Sequence, residues 1–477
     1  MAGASPLDTQ DALGLAGLVR RGEVAPLELL EEAIGRAEAL DPQFHFLAQR
    51  HYDYGRAAIA RGLPQGPFTG VPWLLKDLNT HIAGLPSEGG SRFYQGQLAA
   101  ETSELVRRIE RAGFVVFGKT TTPEFGLSGT TENRLTGATR NPWNPAHIAG
   151  GSSGGAAVAV AAGVLPAAHA TDGGGSIRIP AACCGLFGLK PSRGRVPMGP
   201  PRSEGWGGLA THHAITRSVR DSAAILDATW GAEPGARYAA PTPERPFLAE
   251  VTRPPRALRI ALMTAPFAGS PVAAPCVAAT RAAAALCERL GHHVEEAAPA
   301  IDGAALGAAS FAILGGSIAA DVADRAAATG LDPAALLEPI TLAFIAYGKG
   351  FSAMDYARAN ATFQAAALTM ARFLETYDVI LSPTLASPPL ALGEISLSPG
   401  VGMDVWGQRA GAFAAFTGIA NMTGQPAMSL PLAMSDGGLP IGVQVLGRYG
   451  EEGLLLRLAG QIEQAAPWVL RRPPAAA

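Results

Sequence analysis

The sequence predicts an α/β fold, and two observations carry that prediction. Apolar strand-like runs alternate with helical patterns along the whole 477-residue chain, and such alternation is typical of α/β proteins. Charged residues make up 16% of the chain, against about 25% in an average soluble protein. The chain can therefore bury a large core, and its length alone would suggest roughly three domains.

Elements of the N-terminal part can be placed from local signals. Residues 9–40 read as two helices, because Gly22 suits a helix end and Pro26 suits a first helical position. We expect Asp41-Pro42 to end the second helix. Further predicted elements here are strands at 44–47, 71–75 and 114–117 and a helix over 102–112 capped by Thr102.

The C-terminal half begins after a proline-rich stretch, 241–255, which is the best linker candidate. Ser352 and Asp355 have the spacing of a capping box at the start of one long helix. The predicted elements are strands at 258–263 and 379–381 and helices over about 272–290, 303–328, 352–377 and 451–465.

Composition excludes several classes of protein. The chain holds 58 glycines and 38 prolines, too many for a long coiled coil. Its net charge is −3 with no long run of Lys or Arg, so we expect no nucleic acid and no anionic membrane as a partner. The four cysteines form no CxxC pair, which argues against a disulfide framework and a zinc site.

Targeting signals are not expected either. The longest apolar run, 156–168, is broken by Gly163 and Pro166 and is shorter than the about 20 residues that span a bilayer. The N-terminus lacks the basic and apolar regions of a signal peptide. Together with the cysteine pattern, this predicts a cytoplasmic enzyme, and no residue pattern here indicates a cofactor or a metal.

Two motifs resemble catalytic signatures but have simpler interpretations. Residues 113–120 match the phosphate-binding pattern GxxxxGK[ST], yet bulky Phe and Val between the glycines favour a buried strand ending in a surface Lys119. Ser153 lies in a GxSxG pattern, but the residues before it predict a loop instead of the strand that a nucleophile elbow requires. None of the nine histidines is assigned a role.

Three other segments contain residues that are better suited to catalysis. Lys76 closes an apolar run, and burial would lower its pKa towards that of a neutral general base. Residues 150–155 read Gly-Gly-Ser-Ser-Gly-Gly, and residues 171–180 contain three glycines directly before Ser176. Consecutive glycine N–H groups can converge on one point and so form an oxyanion hole.

Together these segments resemble the amidase signature family of serine hydrolases. The signature core runs from about 150 to 197 and ends in Cys184-Gly-Leu-Phe-Gly-Leu-Lys190-Pro191. Similar pieces occur in order along nearly the whole chain, at 118–125, 216–221, 382–384, 421–426 and 439–444. The GKT segment at 118–120 also belongs to this family.

The resemblance implies a Ser–cis-Ser–Lys triad. Ser176 matches the nucleophile, Ser152 the bridging serine after a cis peptide bond, and Lys76 the base. The N–H groups of Gly173, Gly174, Gly175 and Ser176 are candidates to hold the oxyanion. Ser153, Asp172 and Arg178 are expected to orient these loops, or alternatively to make structural hydrogen bonds alone.

The family fold is one large α/β domain, a mixed central sheet surrounded by helices. We therefore expect residues 1–477 to form one domain instead of the three that the length suggested. On this interpretation the proline-rich segment 241–255 is a loop within that domain and not a linker between domains. The chain departs from the common Lys-Asp-Asn pattern, because Leu78 follows Lys76-Asp77 and Asn79 comes one place later.

The substrate is less defined than the reaction. Candidate pocket residues are Gly126, Leu127, Ser128, Leu314 and Gly315; core packing is the alternative for each. Their apolar character suggests small, uncharged substrates. The local sequence resembles bacterial amidases that act on synthetic amides, including 6-aminohexanoate cyclic dimer hydrolases, and urethane-cleaving amidases. Amide, cyclic amide, ester and carbamate substrates all stay open.

Two other functions are alternatives to the hydrolysis of small amides. The first is the glutamyl-tRNA amidotransferase A subunit, which carries the same triad and delivers ammonia to a partner. The second is a non-catalytic binding module, and the presence of Lys76, Ser152 and Ser176 argues against it. The expected partners are therefore a small-molecule amide or carbamate, with the chain a monomer or homodimer.

Overall fold

The computed structural model describes residues 5–474; residues 1–4 and 475–477, the ends of the predicted 1–477 domain, lie outside the described residues. Thirteen strands occur in the described part: β1 Leu47–Arg50, β2 Pro72–Lys76, β3 Val115–Thr120, β4 Glu132–Asn133, β5 Gly137–Ala138, β6 Ala167–Asp172, β7 Phe187–Lys190, β8 Thr211–Thr216, β9 Arg259–Leu262, β10 His293–Glu296, β11 Val379–Pro383, β12 Ala427–Met434 and β13 Pro440–Gly447.

Helices surround these strands, together with two 3₁₀ turns at Arg92–Tyr94 and Glu124–Gly126. The helices of the described residues are α1 Pro6–Thr9, α2 Ala12–Arg20, α3 Pro26–Phe44, α4 Tyr52–Ala60, α5 Glu104–Arg111, α6 Gly154–Ala161, α7 Arg178–Cys184, α8 Val219–Thr229, α9 Phe247–Val251, α10 Ala274–Arg289, α11 Gly303–Thr329, α12 Pro333–Leu336, α13 Pro339–Gly348, α14 Ala353–Thr376, α15 Met403–Phe413, α16 Gly418–Thr423 and α17 Glu452–Ala465.

The main sheet has eight strands in the order β10-β9-β11-β13-β12-β7-β8-β6. Strands β10, β9 and β11 are parallel, and the remaining neighbours are antiparallel. Most of its central strands are buried along their length, as expected for a sheet covered by helices on both faces. The predicted single α/β domain with a mixed sheet is therefore confirmed.

A smaller sheet positions the first functional segment. Its order is β1-β3-β2, with β2 parallel to β3 and β1 antiparallel to β3. Every residue of β2 and β3 is buried, so the lysine that ends β2 is carried into the protein interior. Helix α6 is also buried at all eight positions, because its Gly, Ala and Val side chains allow close packing against β6.

Several local predictions are confirmed and others are wrong. The strand predicted at 44–47 is found as β1 at Leu47–Arg50, and the residue before α5 is Ser103 instead of the predicted cap Thr102. Pro26 is the first residue of α3, and Ser352 with Asp355 forms the capping box of α14. Asp41-Pro42 does not end α3, which continues to Phe44. The Asp41 carboxylate instead accepts hydrogen bonds from the N–H groups of residues 46 and 47, so it orders the chain just beyond the helix.

The proline-rich segment 241–255 is packed onto the body of the protein. It contains α9, which lies against α8 and α17. Phe247 is buried, and the Asp227 carboxylate accepts hydrogen bonds from the N–H groups of Phe247 and Leu248. These contacts tie the segment to the helices on both sides of it in sequence.

Helix α11 contradicts the expectation that no apolar segment is long enough to span a bilayer. Its 27 residues, Gly303–Thr329, are long and apolar enough by composition to cross a membrane. Core helices of water-soluble proteins pass the same test, and α11 packs against α13 and α14. Its many Ala residues raise the mean hydropathy without forming one continuous run of large apolar side chains.

Candidate active site

Three chain segments meet beside β2. Lys76 ends β2, Ser152 precedes α6, and the glycine loop with Ser176 connects β6 to α7. Strand β6 lies against β2, which brings the second and third segments towards the lysine. The Lys76 Nζ atom lies 2.7 Å from Ser152 Oγ and 2.7 Å from Thr171 Oγ1.

The Lys76 side chain has the surroundings of a base. It is fully buried, and burial lowers its pKa well below the usual value, although the charge of Asp172 opposes that shift. Its hydrogen-bond partners in the described structure are hydroxyls and not carboxylates. Nothing here holds the amine in its charged form by direct ion pairing.

The loop before α6 has little space for side chains. The Gly151–Ser152 peptide bond is cis, as the resemblance implies. A Cβ atom on Gly151 would lie 2.5 Å from the Thr130 carbonyl oxygen, and one on Gly126 would lie 3.1 Å from Ser152 Oγ. Gly126 therefore lies directly beside Ser152.

Ser176 ends the glycine loop and is buried, next to a more exposed part of that loop. Ser176 is 8% exposed, whereas Gly174 is exposed. Within residues 5–474 the Ser176 hydroxyl makes no hydrogen bond, so a contact between Ser152 and Ser176 is not formed in this conformation. Hydrogen bonds of this kind are often long in ligand-free enzymes and tighten with substrate.

The four predicted oxyanion donors are not equivalent. The Gly175 N–H donates to Asp172 Oδ1 at 2.7 Å and is thereby engaged. No hydrogen bond to another described residue is made by the N–H groups of Gly173, Gly174 and Ser176. In this conformation those three N–H groups are the ones available to an oxyanion.

Asp172 and Arg178 support the loop from beneath. The Arg178 guanidinium contacts the Asp172 carboxylate through Nε at 3.0 Å and Nη2 at 2.9 Å, with both side chains fully buried. Burial raises the pKa of Asp172, but the Arg178 charge and hydrogen bonds outweigh it and bring the pKa to about 2. The carboxylate thus stays ionised and holds the N–H groups of Gly175 and Ile177.

Ser153 has a different position from the other two serines. It is fully buried, and its hydroxyl donates to the Thr171 carbonyl oxygen and accepts from the Thr171 N–H. Those bonds join the start of α6 to the end of β6. The structure therefore gives Ser153 a supporting contact, and the loop predicted before it is present.

The position of Lys119 differs from the prediction. The predicted strand is present as β3, but Lys119 is buried rather than on the surface. Its ammonium donates to Asp77 Oδ1 at 3.3 Å and to the Pro86 carbonyl oxygen at 2.6 Å. A buried carboxylate partner, adjacent to Lys76 in sequence, thus accommodates a residue that sequence alone would leave in solvent.

The predicted pocket residues have separate environments. Ser128 donates to the Ile395 carbonyl oxygen, and Leu127 is buried in a cluster that Leu314 borders. A Cβ on Gly315 would lie 2.9 Å from the Gly348 Cα, so this glycine allows α11 and α13 to cross closely. Gly126 is the member of this set that lies beside Ser152.

Sequence reasoning missed four residues around the loop. Thr171 contacts the Lys76 amine, Thr417 donates to the Gly174 carbonyl oxygen, and Asn421 donates to the Asp172 carbonyl oxygen. The fourth, Trp206, lies against Gly173. Thr171 and Asn421 lie within segments that resemble the family, 171–180 and 421–426. The sequence therefore marked both segments, but it could not show which residues Thr171 and Asn421 contact.

Two histidines lie behind the lysine. The Lys76 N–H donates to His169 Nδ1 at 3.2 Å, and His169 Nε2 lies 2.9 Å from His212 Nδ1. Burial lowers the pKa of both imidazoles, that of His212 to about 3. They are neutral core residues that hold the end of β2.

Known proteins of similar sequence and structure identify the family of this chain. The Amidase family model matches residues 28–456. The chain is 39% identical to the 6-aminohexanoate-cyclic-dimer hydrolase of Paenarthrobacter ureafaciens, over 97% of this chain and 96% of that protein.

Solved structures give the same result. A structure of 6-aminohexanoate cyclic dimer hydrolase superposes with a TM-score of 0.93 at 36% identity, covering 99% of this chain and 100% of the other. A bacterial aryl acylamidase of the amidase signature family superposes with a TM-score of 0.87 at 28% identity, covering 98% and 100%.

Fold, site and sequence together define a hydrolase that acts on amides. The chain belongs to the amidase family, whose signature enzymes include both of these structural neighbours.

Proposed function

We propose that this enzyme hydrolyses small, mostly uncharged amides through an acyl-enzyme on Ser176. The observation that carries the proposal is the buried Lys76 amine, 2.7 Å from the Ser152 hydroxyl, with a lowered pKa and no carboxylate partner among the described residues. A neutral amine in that position can accept a proton, which is what a serine nucleophile requires from its neighbours.

The proposed relay follows from the hydrogen bonds of Lys76. A neutral amine has two N–H donors and one lone pair. Thr171 Oγ1 can accept one N–H at 2.7 Å, which leaves the lone pair free for the Ser152 proton. Ser152 in turn takes the proton of Ser176 as Ser176 Oγ attacks the carbonyl carbon.

The same path then runs in reverse. Lys76 returns its proton through Ser152 to the leaving nitrogen, the C–N bond breaks, and the amine departs. Water attacks the acyl-enzyme with the relay again accepting a proton, which releases the acid and restores Ser176. The free N–H groups of Gly173, Gly174 and Ser176 would stabilise the oxyanion in both steps.

The substrate proposal rests on apolar surroundings. Partly buried aromatic and aliphatic side chains border the cluster around Leu127, among them Phe125, Trp206, Phe311 and Leu314. Such walls favour uncharged groups and discriminate weakly between homologues. The similar enzymes named for a 6-aminohexanoate cyclic dimer and for aryl acylamides support linear or cyclic amides, and a carbamate needs the same nucleophile and oxyanion donors.

A turnover panel tests the proposal. It compares 4-nitroacetanilide, a short aryl carbamate, the 6-aminohexanoate cyclic dimer and glutamine. We expect turnover of at least one of the first three without an added protein. Turnover of glutamine alone, dependent on a partner subunit, would reject the proposal in favour of an amidotransferase A-type glutaminase.

A covalent probe tests the nucleophile separately. Mass spectrometry after treatment with a phosphonofluoridate should find the adduct on Ser176. The matched control is Ser153→Ala, which should still be labelled at Ser176 because Ser153 is fully buried. An adduct on Ser153 in the wild-type enzyme would contradict the proposed mechanism.

A further inference from the structure

Trp206 lies beside the glycine loop, although nothing in its local sequence marks it as a site residue. A Cβ atom on Gly173 would lie 2.7 Å from Cζ3 and 2.8 Å from Cε3 of the indole ring. The ring edge therefore occupies the space that any side chain at position 173 would need. Because the Gly173 N–H is one of the free oxyanion donors, the indole borders the place where a substrate carbonyl would bind.

The backbone around Trp206 is shaped to hold it there. Its φ angle is 52°, a left-handed conformation that is rare for a bulky residue and is most common at functional sites. Gly207 packs beneath it, since a Cβ there would lie 3.2 Å from Ile313 Cγ2 and 3.1 Å from Tyr356 Oη. The turn is thus pressed against α11 and α14.

The turn and the glycine loop are also joined by one side chain. Asn421 donates to the Asp172 carbonyl oxygen at 3.0 Å and to the Leu209 carbonyl oxygen at 3.1 Å. The Arg193 guanidinium fixes the same turn by donating to the Gly208 carbonyl oxygen at 2.6 Å. The distance between the indole and the loop is therefore set by shared hydrogen bonds.

The Trp206 side chain is not fully covered by protein. It is half-buried and packs on two separate hydrophobic clusters. Its indole N–H makes no hydrogen bond within residues 5–474. An aromatic surface is thus left beside the exposed Gly174, at the open end of the site.

We infer that Trp206 is a specificity-determining residue that contacts the acyl portion of the substrate. The inference rests on the proposed function, in which Ser152 protonates the leaving amine. The amine then lies on the Ser152 side, where Gly126 and Leu78 form the wall: a Cβ on Gly126 would lie 2.7 Å from Leu78 Cδ2. Trp206 lies at Gly173, the opposite end of the glycine loop from Ser176, and so faces the acyl group.

Two series of anilides test the inference. The first keeps 4-nitroaniline as leaving group and varies the acyl group from acetyl to butyryl to hexanoyl. The second keeps acetyl and varies the size of the aniline. For Trp206→Ala we expect the hexanoyl-to-acetyl ratio of kcat/KM to change at least about 10-fold, with the ratios of the aniline series unchanged within about threefold.

Control variants separate contact from folding. Trp206→Phe retains an aromatic wall and should keep most of the wild-type acyl ratio, which protects the test if the alanine variant folds poorly. Trp230→Leu removes another half-buried tryptophan that packs on the main core and should leave both ratios unchanged.

The inference would be overturned if Trp206→Ala lowered kcat/KM equally for the acetyl and hexanoyl substrates, or if its kcat/KM ratios changed only in the aniline series. If the wild-type enzyme hydrolysed no anilide and no other amide of the panel, the proposed function itself would fail. That result is distinct from wild-type turnover with an unchanged acyl ratio in the variant.

Discussion

Replacement of Arg178 by Met is the perturbation whose effect the structure defines best. Methionine preserves the apolar stem but removes the guanidinium from the buried pair with Asp172. Breaking such a pair by removing one partner costs about 3–5 kcal/mol. The depression of the Asp172 pKa from 3.8 to about 2 has the same sign and corresponds to about 2 kcal/mol at neutral pH. We therefore expect Arg178→Met to lower the free energy of unfolding by about 3–5 kcal/mol.

The pH dependence has a definite sign. A carboxyl whose folded pKa is depressed stabilises the protein fully above its unfolded pKa, and that contribution is lost as pH falls through the folded value. For Asp172 the loss in the wild-type enzyme falls between about pH 4 and about pH 2. Without Arg178, burial would raise that pKa above the unfolded value, so in the variant Asp172 should no longer cause acid destabilisation and should instead favour the folded state as pH falls through the raised pKa.

Activity should fall further than stability explains. Asp172 holds the N–H groups of Gly175 and Ile177, and small displacements of catalytic groups can cost about 100-fold in rate. We expect kcat to fall by about 100-fold or more per folded molecule. The assay combines denaturant unfolding with kcat measured under conditions where circular dichroism shows the variant folded.

A second buried pair supplies the matched control. Arg195 contacts Glu452 through Nε at 3.0 Å and Nη2 at 2.8 Å, also fully buried, but makes none of its hydrogen bonds to the glycine loop. Arg195→Met should lose comparable stability and keep kcat per folded molecule. The reasoning is refuted if Arg178→Met keeps kcat within threefold of wild type, or if both variants lose activity equally.

Three further predictions concern the proposed relay and its loop. Ser176→Ala should lose several orders of magnitude in kcat with a native circular dichroism spectrum; retained turnover would remove it as nucleophile. In the wild-type enzyme kcat/KM should rise with pH through a group titrating well below 10.5, and Lys76→Met should abolish nearly all activity; a Met variant near wild-type turnover would contradict the relay. Gly175→Ala should lower kcat at least about 100-fold, because its φ is 135° and the new Cβ would lie 2.4 Å from Thr417 Oγ1; an unchanged rate would show that the loop can shift.

Much of the candidate site could be predicted because its chemistry lies in short, contiguous segments. Lys76, Ser152 and Ser176 each occur in a motif whose composition suggests its use. The alternation of strands and helices likewise indicated an α/β fold. The order of the main sheet was not predictable, because β7 lies between β12 and β8, and such non-local pairing leaves no signal in a local pattern.

The supporting residues escaped prediction for the same reason. Asn421 and Thr417 reach the glycine loop from α16 and the residue before it, far along the chain. Trp206 reaches it from a loop between β7 and β8. Gly315, a pocket candidate for which core packing was the alternative, lies where α11 and α13 cross closely.

The buried lysines explain why burial alone does not identify a base. Lys76, Lys119 and Lys190 are all fully buried, and burial lowers the pKa of each, that of Lys190 to about 7. Lys119 donates to the Asp77 carboxylate and Lys190 to the Pro191 carbonyl oxygen, and neither acceptor has a proton to give. Lys76 alone of the three lies beside hydroxyl groups. Lys76 is therefore the lysine that combines a lowered pKa with a hydroxyl proton donor in contact, and this combination, rather than the motif around it, makes it the base in the proposed reaction.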